Sequence, residues 1–293
     1  MLSHELIKKI KRIHIRTGRT VDTIMAGQYH SAFKGAGMEF EEVREYSPGD
    51  EVKSIDWNVT ARMGRPYIKR YREERELVIM ILVDMSESGA FGTVNSLKRE
   101  AAAEMAAIVA FNAIKNNDKV GAILFTDRVE RYIPPKKGTS HVWRVIKEVL
   151  AHEPENHGTD LAETVRFLGR VARKKTVSFL ISDFLDEGYQ RAMAVAAQRH
   201  DLIGILISDP GDFKLPVGGL VELMDLETGE IIVLDAYDPV TVDRYENIMK
   251  DSYSRTLDQL KRIGVDVVEV SASGSLVDPL KRFFRYRERM RVR

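Results

Sequence analysis

Five oxygen-bearing side chains in three short segments have the types and spacing to hold a metal ion. Asp84, Ser86 and Ser88 form an Asp-x-Ser-x-Ser run, Thr159 lies in Gly158-Thr159-Asp160, and Asp183 follows Phe179-Leu180-Ile181-Ser182. Carboxylates and hydroxyls are hard donors, suited to Mg²⁺ or Mn²⁺ rather than zinc. Two carboxylates and three hydroxyls bring enough negative charge for such an ion and leave a coordination position open. Hydroxyls are weak donors, so the ion stays electrophilic and favours a carboxylate from another molecule. Each segment also has a plainer reading, since Ser, Thr and Asp are good helix N-caps. Taken singly, each segment favours the cap. Three together, each in the required strand or helix context, favour the metal.

For the five to meet, the chain must deliver them to one edge. The aliphatic run 77–83 closes on Asp84 and reads as a buried parallel strand, whose carboxyl end is where ligands bind in open α/β sheets. Further strands are expected at 119–125, 176–182, 202–208 and 265–270. A long helix is expected over 94–116, where Leu97, Ala101, Met105 and Ile108 recur at helical spacing. Others are expected at 142–151, 161–173, 188–199 and 240–263. This alternation predicts an α/β fold, a doubly wound and mostly parallel sheet with helices on both faces. Segment 219–234 reads as a β-hairpin appended to that sheet.

Ahead of it, residues 27–75 are rich in glycine, aromatics and charge. Turn signals at Ser47-Pro48-Gly49-Asp50 and Met63-Gly64-Arg65-Pro66 suggest a small β-rich module. Trp57, Phe40 and Tyr46 are expected to pack there, and Arg44, Asp50, Asp56 and Arg62 to form ion pairs. The predicted organisation is an amphipathic helix over 1–26, the β-rich module over 27–75, the α/β domain over 76–272 and a basic helix over 273–293. In that last helix Phe283, Phe284 or Tyr286 is expected to pack back on the domain.

A chain of 293 residues, 44% of them hydrophobic, can bury a full-sized core. Its 45 basic and 44 acidic residues nearly cancel, which argues against a nucleic-acid partner. The absence of cysteine removes disulfides, thiol catalysis and cysteine metal sites. No segment has the length and apolarity of a membrane span or a signal peptide, and the expected location is the cytoplasm.

The three metal loops together resemble the metal-ion-dependent adhesion site of von Willebrand factor A domains. The resemblance extends upstream through Gly27-Gln28-Tyr29-His30-Ser31, Gly35-Ala36-Gly37-Met38-Glu39-Phe40, Arg44-Glu45-Tyr46-Ser47-Pro48-Gly49-Asp50 and Ile55-Asp56-Trp57, with Ala61-Arg62 following. These blocks, in this order before an Asp-x-Ser-x-Ser strand, are similar to the bacterial domain-of-unknown-function family 58, which carries a von Willebrand A-like domain. The resemblance implies a protein partner, a MoxR-type AAA+ ATPase or its client, for which such proteins are regarded as adaptors or co-chaperones.

Other chemistry fares less well. A haloacid-dehalogenase-type phosphatase needs an acid two residues after its first aspartate, where this chain has Ser86. No Gly-x-Ser-x-Gly elbow or phosphate-binding Gly-x-x-x-x-Gly-Lys occurs. His152 and His157 lie near Thr159 in sequence and are given no role. The expected function is therefore a metal-dependent protein-binding module and not an enzyme. The rival is a metal-dependent phosphoesterase using the same loops.

Overall fold

The structure, a computed structural model, describes residues 23–33, 38–73, 76–93, 97–216, 218–224, 226 and 229–291. The amphipathic helix expected over 1–26 lies outside them as far as residue 22, as do Gly35, Gly37, residues 94–96 and the side chain of Phe40.

In chain order the front elements are α1 (Thr23–Phe33), β1 (Met38–Glu45), α2 (Trp57–Met63) and β2 (Tyr67–Glu73). Then come β3 (Val78–Asp84), α3 (Lys98–Lys115), β4 (Lys119–Phe125), β5 (Val129–Lys136), α4 (Thr139–Ala151), α5 (Leu161–Val171) and β6 (Val177–Ser182). The chain continues through α6 (Gln190–Arg199), β7 (Asp201–Ser208), β8 (Leu220–Met224), β9 (Ile231–Asp235), α7 (Pro239–Arg262), β10 (Asp266–Ser271) and α8 (Val277–Arg291).

Six strands form the main sheet in the order β10-β7-β6-β3-β4-β5, all parallel except β5. In β3, successive residues point to opposite faces. Ile79, Ile81 and Val83 enter a core with α1, α3, α4 and α8, while Met80 and Leu82 enter a second core with α5, α6 and α7. This is the doubly wound, mostly parallel α/β architecture that the alternating sequence predicts. From β3 the chain crosses to β4 on one side and later returns to β6 on the other. The carboxyl ends of β3 and β6 therefore flank the topological switch point, the usual ligand crevice of such sheets.

The edge strand β5 is absent from the sequence-based expectation. Its Val129-Glu-Arg-Tyr-Ile-Pro-Pro-Lys136 carries two prolines, which an edge strand tolerates and a central strand does not. It crosses β4 closely at Gly121. A Cβ there would sit 2.8 Å from the Ile133 carbonyl oxygen and from Met80 Sδ. Gly121→Ala is expected to destabilise the protein by about 1–3 kcal/mol, measured by urea unfolding, because backbone as well as side chain must yield.

Two expectations need correction. The hairpin β8–β9 forms its own two-stranded sheet and is not appended to the main one, whose edge beside β7 is taken by β10. The front module does not begin at residue 27. Residues 27–33 are helical, and Tyr29, Ala32 and Phe33 of α1 lie in the main core. The Tyr29 hydroxyl donates to Asp118 Oδ2 at 3.0 Å, and Asp118 Oδ1 accepts the Leu77 amide at 2.9 Å, tying α1 to the start of the sheet.

The rest of the module is the antiparallel ribbon β1–β2 with α2 inserted. Trp57 is 67% exposed on α2, contrary to the packing role expected of it. Arg44 pairs with Asp50 at 2.7 Å, whereas Asp56 pairs with Lys69 at 3.2 Å and caps α2 through the Asn58 and Val59 amides. Among the described residues no helix is long and apolar enough to cross a membrane.

Candidate metal centre

Asp84 ends β3 at the switch point. Its Oδ1 accepts the Ser86 amide at 3.0 Å, an Asx-type turn that leads the chain off the strand. Ser86 Oγ and Ser88 Oγ then lie 3.0 Å apart. On the neighbouring strand, Ser182 Oγ donates to Asp84 Oδ2 at 2.6 Å and accepts the Phe184 amide at 2.9 Å. Phe184 holds a left-handed φ of 58°, uncommon for a bulky residue, and its buried ring pins the turn after Asp183.

Asp84, Ser86, Ser88 and Asp183 line one small cleft. Four of the five sequence-predicted ligands are thus brought together. Thr159 is half-buried on the adjacent loop and is not part of that lining. Its loop is tied to the Asp84 loop by the Glu87 amide, which donates to the His157 carbonyl at 2.9 Å. The neighbouring Asp160 caps α5 by accepting the Glu163 amide at 2.7 Å, so the plainer reading holds for that residue. His157 pairs with Glu87 and His152 with Glu130, and neither lines the cleft.

Burial pushes the Asp84 carboxyl up to about 7, with the nearby Asp183 charge as the second cause. The Ser182 and Ser86 hydrogen bonds pull the other way and do not offset it. Among the described residues no cluster of three or more His, Cys, Asp or Glu side chains is arranged for a metal, so a cation here would depend on the serine hydroxyls. The set of two carboxylates and two hydroxyls, with no nitrogen or sulfur ligand, fits a hard divalent ion.

The sequence reading missed three participants. Ser182 orients Asp84 and was visible only as the residue before Asp183. Lys98 lines the cleft with its side chain 6% exposed, its ammonium 3.3 Å from Asp183 and 2.9 Å from Asp212. Burial alone would depress the Lys98 pKa, but Asp183 and Asp212 outweigh it and hold it above the ordinary lysine value. Arg99, next along α3, also lines the cleft, and its Nε is buried without a hydrogen-bond partner among the described residues.

Residues 42–255 match the family model described as Protein of unknown function DUF58. The chain belongs to the DUF58 family. A relative, uncharacterized protein Mb1516 of Mycobacterium bovis, is 30% identical to this DUF58 chain over 230 residues, covering 78% of it and 73% of the relative. Solved structures similar to it include BatB from Bacteroides thetaiotaomicron, described as a conserved hypothetical protein. That match has a TM-score of 0.47 at 18% identity, covering 73% of this DUF58 chain and 99% of BatB. A von Willebrand factor type A protein from Catenulispora acidiphila matches with a TM-score of 0.41 at 12% identity, covering 75% and 43% of the two chains. The mostly parallel sheet with helices on both faces gives this DUF58 chain a doubly wound α/β fold.

Proposed function

We propose that this DUF58 chain is a protein-binding module whose cleft holds Mg²⁺ or Mn²⁺ and uses it to take a carboxylate from a partner. The observation that carries the reading is the convergence of Asp84 and Asp183, with two hydroxyls, in one cleft. The bound cation would supply a Lewis-acidic contact point for the partner's carboxylate. Asp84 and Asp183 would neutralise it, Ser86 and Ser88 would complete its surroundings with neutral donors, and Thr159 would approach from the adjacent loop. Ser182 fixes the orientation of Asp84. Arg99, with donor capacity to spare beside the cleft, favours an anionic visitor.

Catalysis has little to work with here. Among the described residues the cleft lining contains no histidine, and the Ser86 and Ser88 hydroxyls bond each other rather than a base. In line with the family resemblance, the proposed partner is a MoxR-type AAA+ ATPase or a protein it remodels. The association is expected to weaken at least tenfold, about 1.4 kcal/mol, in EDTA or in Asp84→Ala, and by a smaller factor in Thr159→Ala. Calorimetry against a purified MoxR-type ATPase checks it. An affinity indifferent to all three would place the interface elsewhere.

A further inference from the structure

Lys98 is an odd residue to find where it lies. It is the first residue of α3, where the helix dipole disfavours a cation. A lysine is rarely so buried unless it is paired. Two carboxylates hold it. Asp212 stands on the short 3-10 turn Pro210–Phe213, whose geometry is set independently of the lysine: the Asp209 amide donates to Asp212 Oδ2 at 2.7 Å and the Asp209 side chain accepts the Gly211 amide at 2.8 Å. That leaves Asp212 Oδ1 as a fixed seat for the ammonium. Asp183 is the second seat, and it is the one that also faces the cleft. The Phe91 ring, 5.6 Å from the ammonium, completes the enclosure.

We propose that Lys98 is the built-in counter-cation of the site, holding Asp183 until a divalent ion takes that carboxylate and then withdrawing onto Asp212. The inference rests on the metal reading above. Asp183 already spends Oδ1 on the Leu185 amide at 3.3 Å and Oδ2 on Lys98. A divalent ion on the same carboxylate would face the ammonium at close range and repel it. Lysine, a compact charge on a four-carbon stem, can retreat to Asp212 without disturbing the helix. Metal entry is thus an exchange of one cation for another. In the metal-free protein Asp183 keeps a partner, and the affinity for metal is lower than the ligand set alone would give. The exchange also loads Asp212, on the turn that leads from β7 toward the β8–β9 hairpin.

The test titrates Mn²⁺ into the EDTA-stripped full chain, followed by calorimetry and by electron paramagnetic resonance of the ion, in wild type, Lys98→Met and Asp212→Asn. Lys98→Met is expected to bind Mn²⁺ at least tenfold more tightly. Asp212→Asn is expected to bind several-fold more weakly, because the ammonium then has Asp183 alone. If wild type binds and Lys98→Met binds no better, the exchange is overturned and the metal reading stands. If only Lys98→Met binds, lysine rather than a divalent ion is the native occupant, and the exchange is overturned. If no protein binds, both readings fail. Should circular dichroism show that Lys98→Met does not fold, Asp212→Asn decides, and an affinity equal to wild type overturns the exchange.

Discussion

Replacing Asp84 by Asn is expected to stabilise the metal-free protein at pH 8 and to abolish its stabilisation by Mn²⁺. An unfolded aspartate ionises near 3.9, whereas burial and the Asp183 charge raise folded Asp84 to about 7. Below about pH 4 both states keep the proton and no penalty arises. Between these values only the unfolded chain ionises, so stability falls as pH rises. Above 7 the penalty is complete, at most about 4 kcal/mol. Asn has no proton to lose, so the variant's advantage in EDTA should grow from pH 5 to pH 8 and then level off. Urea unfolding at several pH values measures it, and an advantage that does not change with pH contradicts this electrostatic picture. With Mn²⁺ at a hundred times its Kd, wild type should recover about 2.7 kcal/mol and the variant nothing.

Arg287→Ala is expected to cost about 2–3 kcal/mol, the loss of several charge-assisted hydrogen bonds at a partly buried site. Its guanidinium grips Asp201 with two bonds of 2.8 and 2.7 Å and Asp266 Oδ2 with two more, of 2.7 and 2.5 Å. It also lies 5.3 Å from the Phe33 ring and 5.0 Å from the Phe283 ring. One side chain of α8 thus joins the amino ends of β7 and β10 to α1. Burial would lower the Arg287 pKa, but the two aspartates hold it above its ordinary value, so the charge remains. Lysine should recover only part of the loss, because it lacks the planar fork that Asp201 accepts. Urea unfolding of the three proteins separates these outcomes.

The legible parts of the fold were those with a strong physical signature. The aliphatic runs of β3, β6 and β7, buried on both faces, cannot be mistaken for surface, and their polar carboxyl ends pointed to Asp84 and Asp183. Phe283 and Phe284 were recoverable because a basic helix with paired aromatics has an obvious inner side. β5 was hidden by its prolines and charges, which its edge position explains. Residues 27–33 misled because Gly27, Tyr29 and Ser31 look like loop residues, while the core contact that makes them helical comes from distant α8. Lys98 was invisible for the same reason. Its partners Asp183 and Asp212 lie far along the chain, and only a cation set against the helix dipole hinted that something nearby compensates it.

The edge-to-face stacking of Tyr29 and Phe33 on Phe284, and of Phe33 on Phe179, has a consequence for how the chain is made. About 250 residues separate Phe33 from Phe284. At 5–20 residues per second a ribosome needs roughly 12–50 s to cover that distance. Throughout that interval every strand of the sheet can emerge while α1 still lacks the aromatic partner that completes its burial. Nascent chains of this protein should therefore carry an uncovered aromatic face until α8 has emerged. A ribosome-arrested chain ending before residue 277 should be cut by protease within α1, where the finished protein resists.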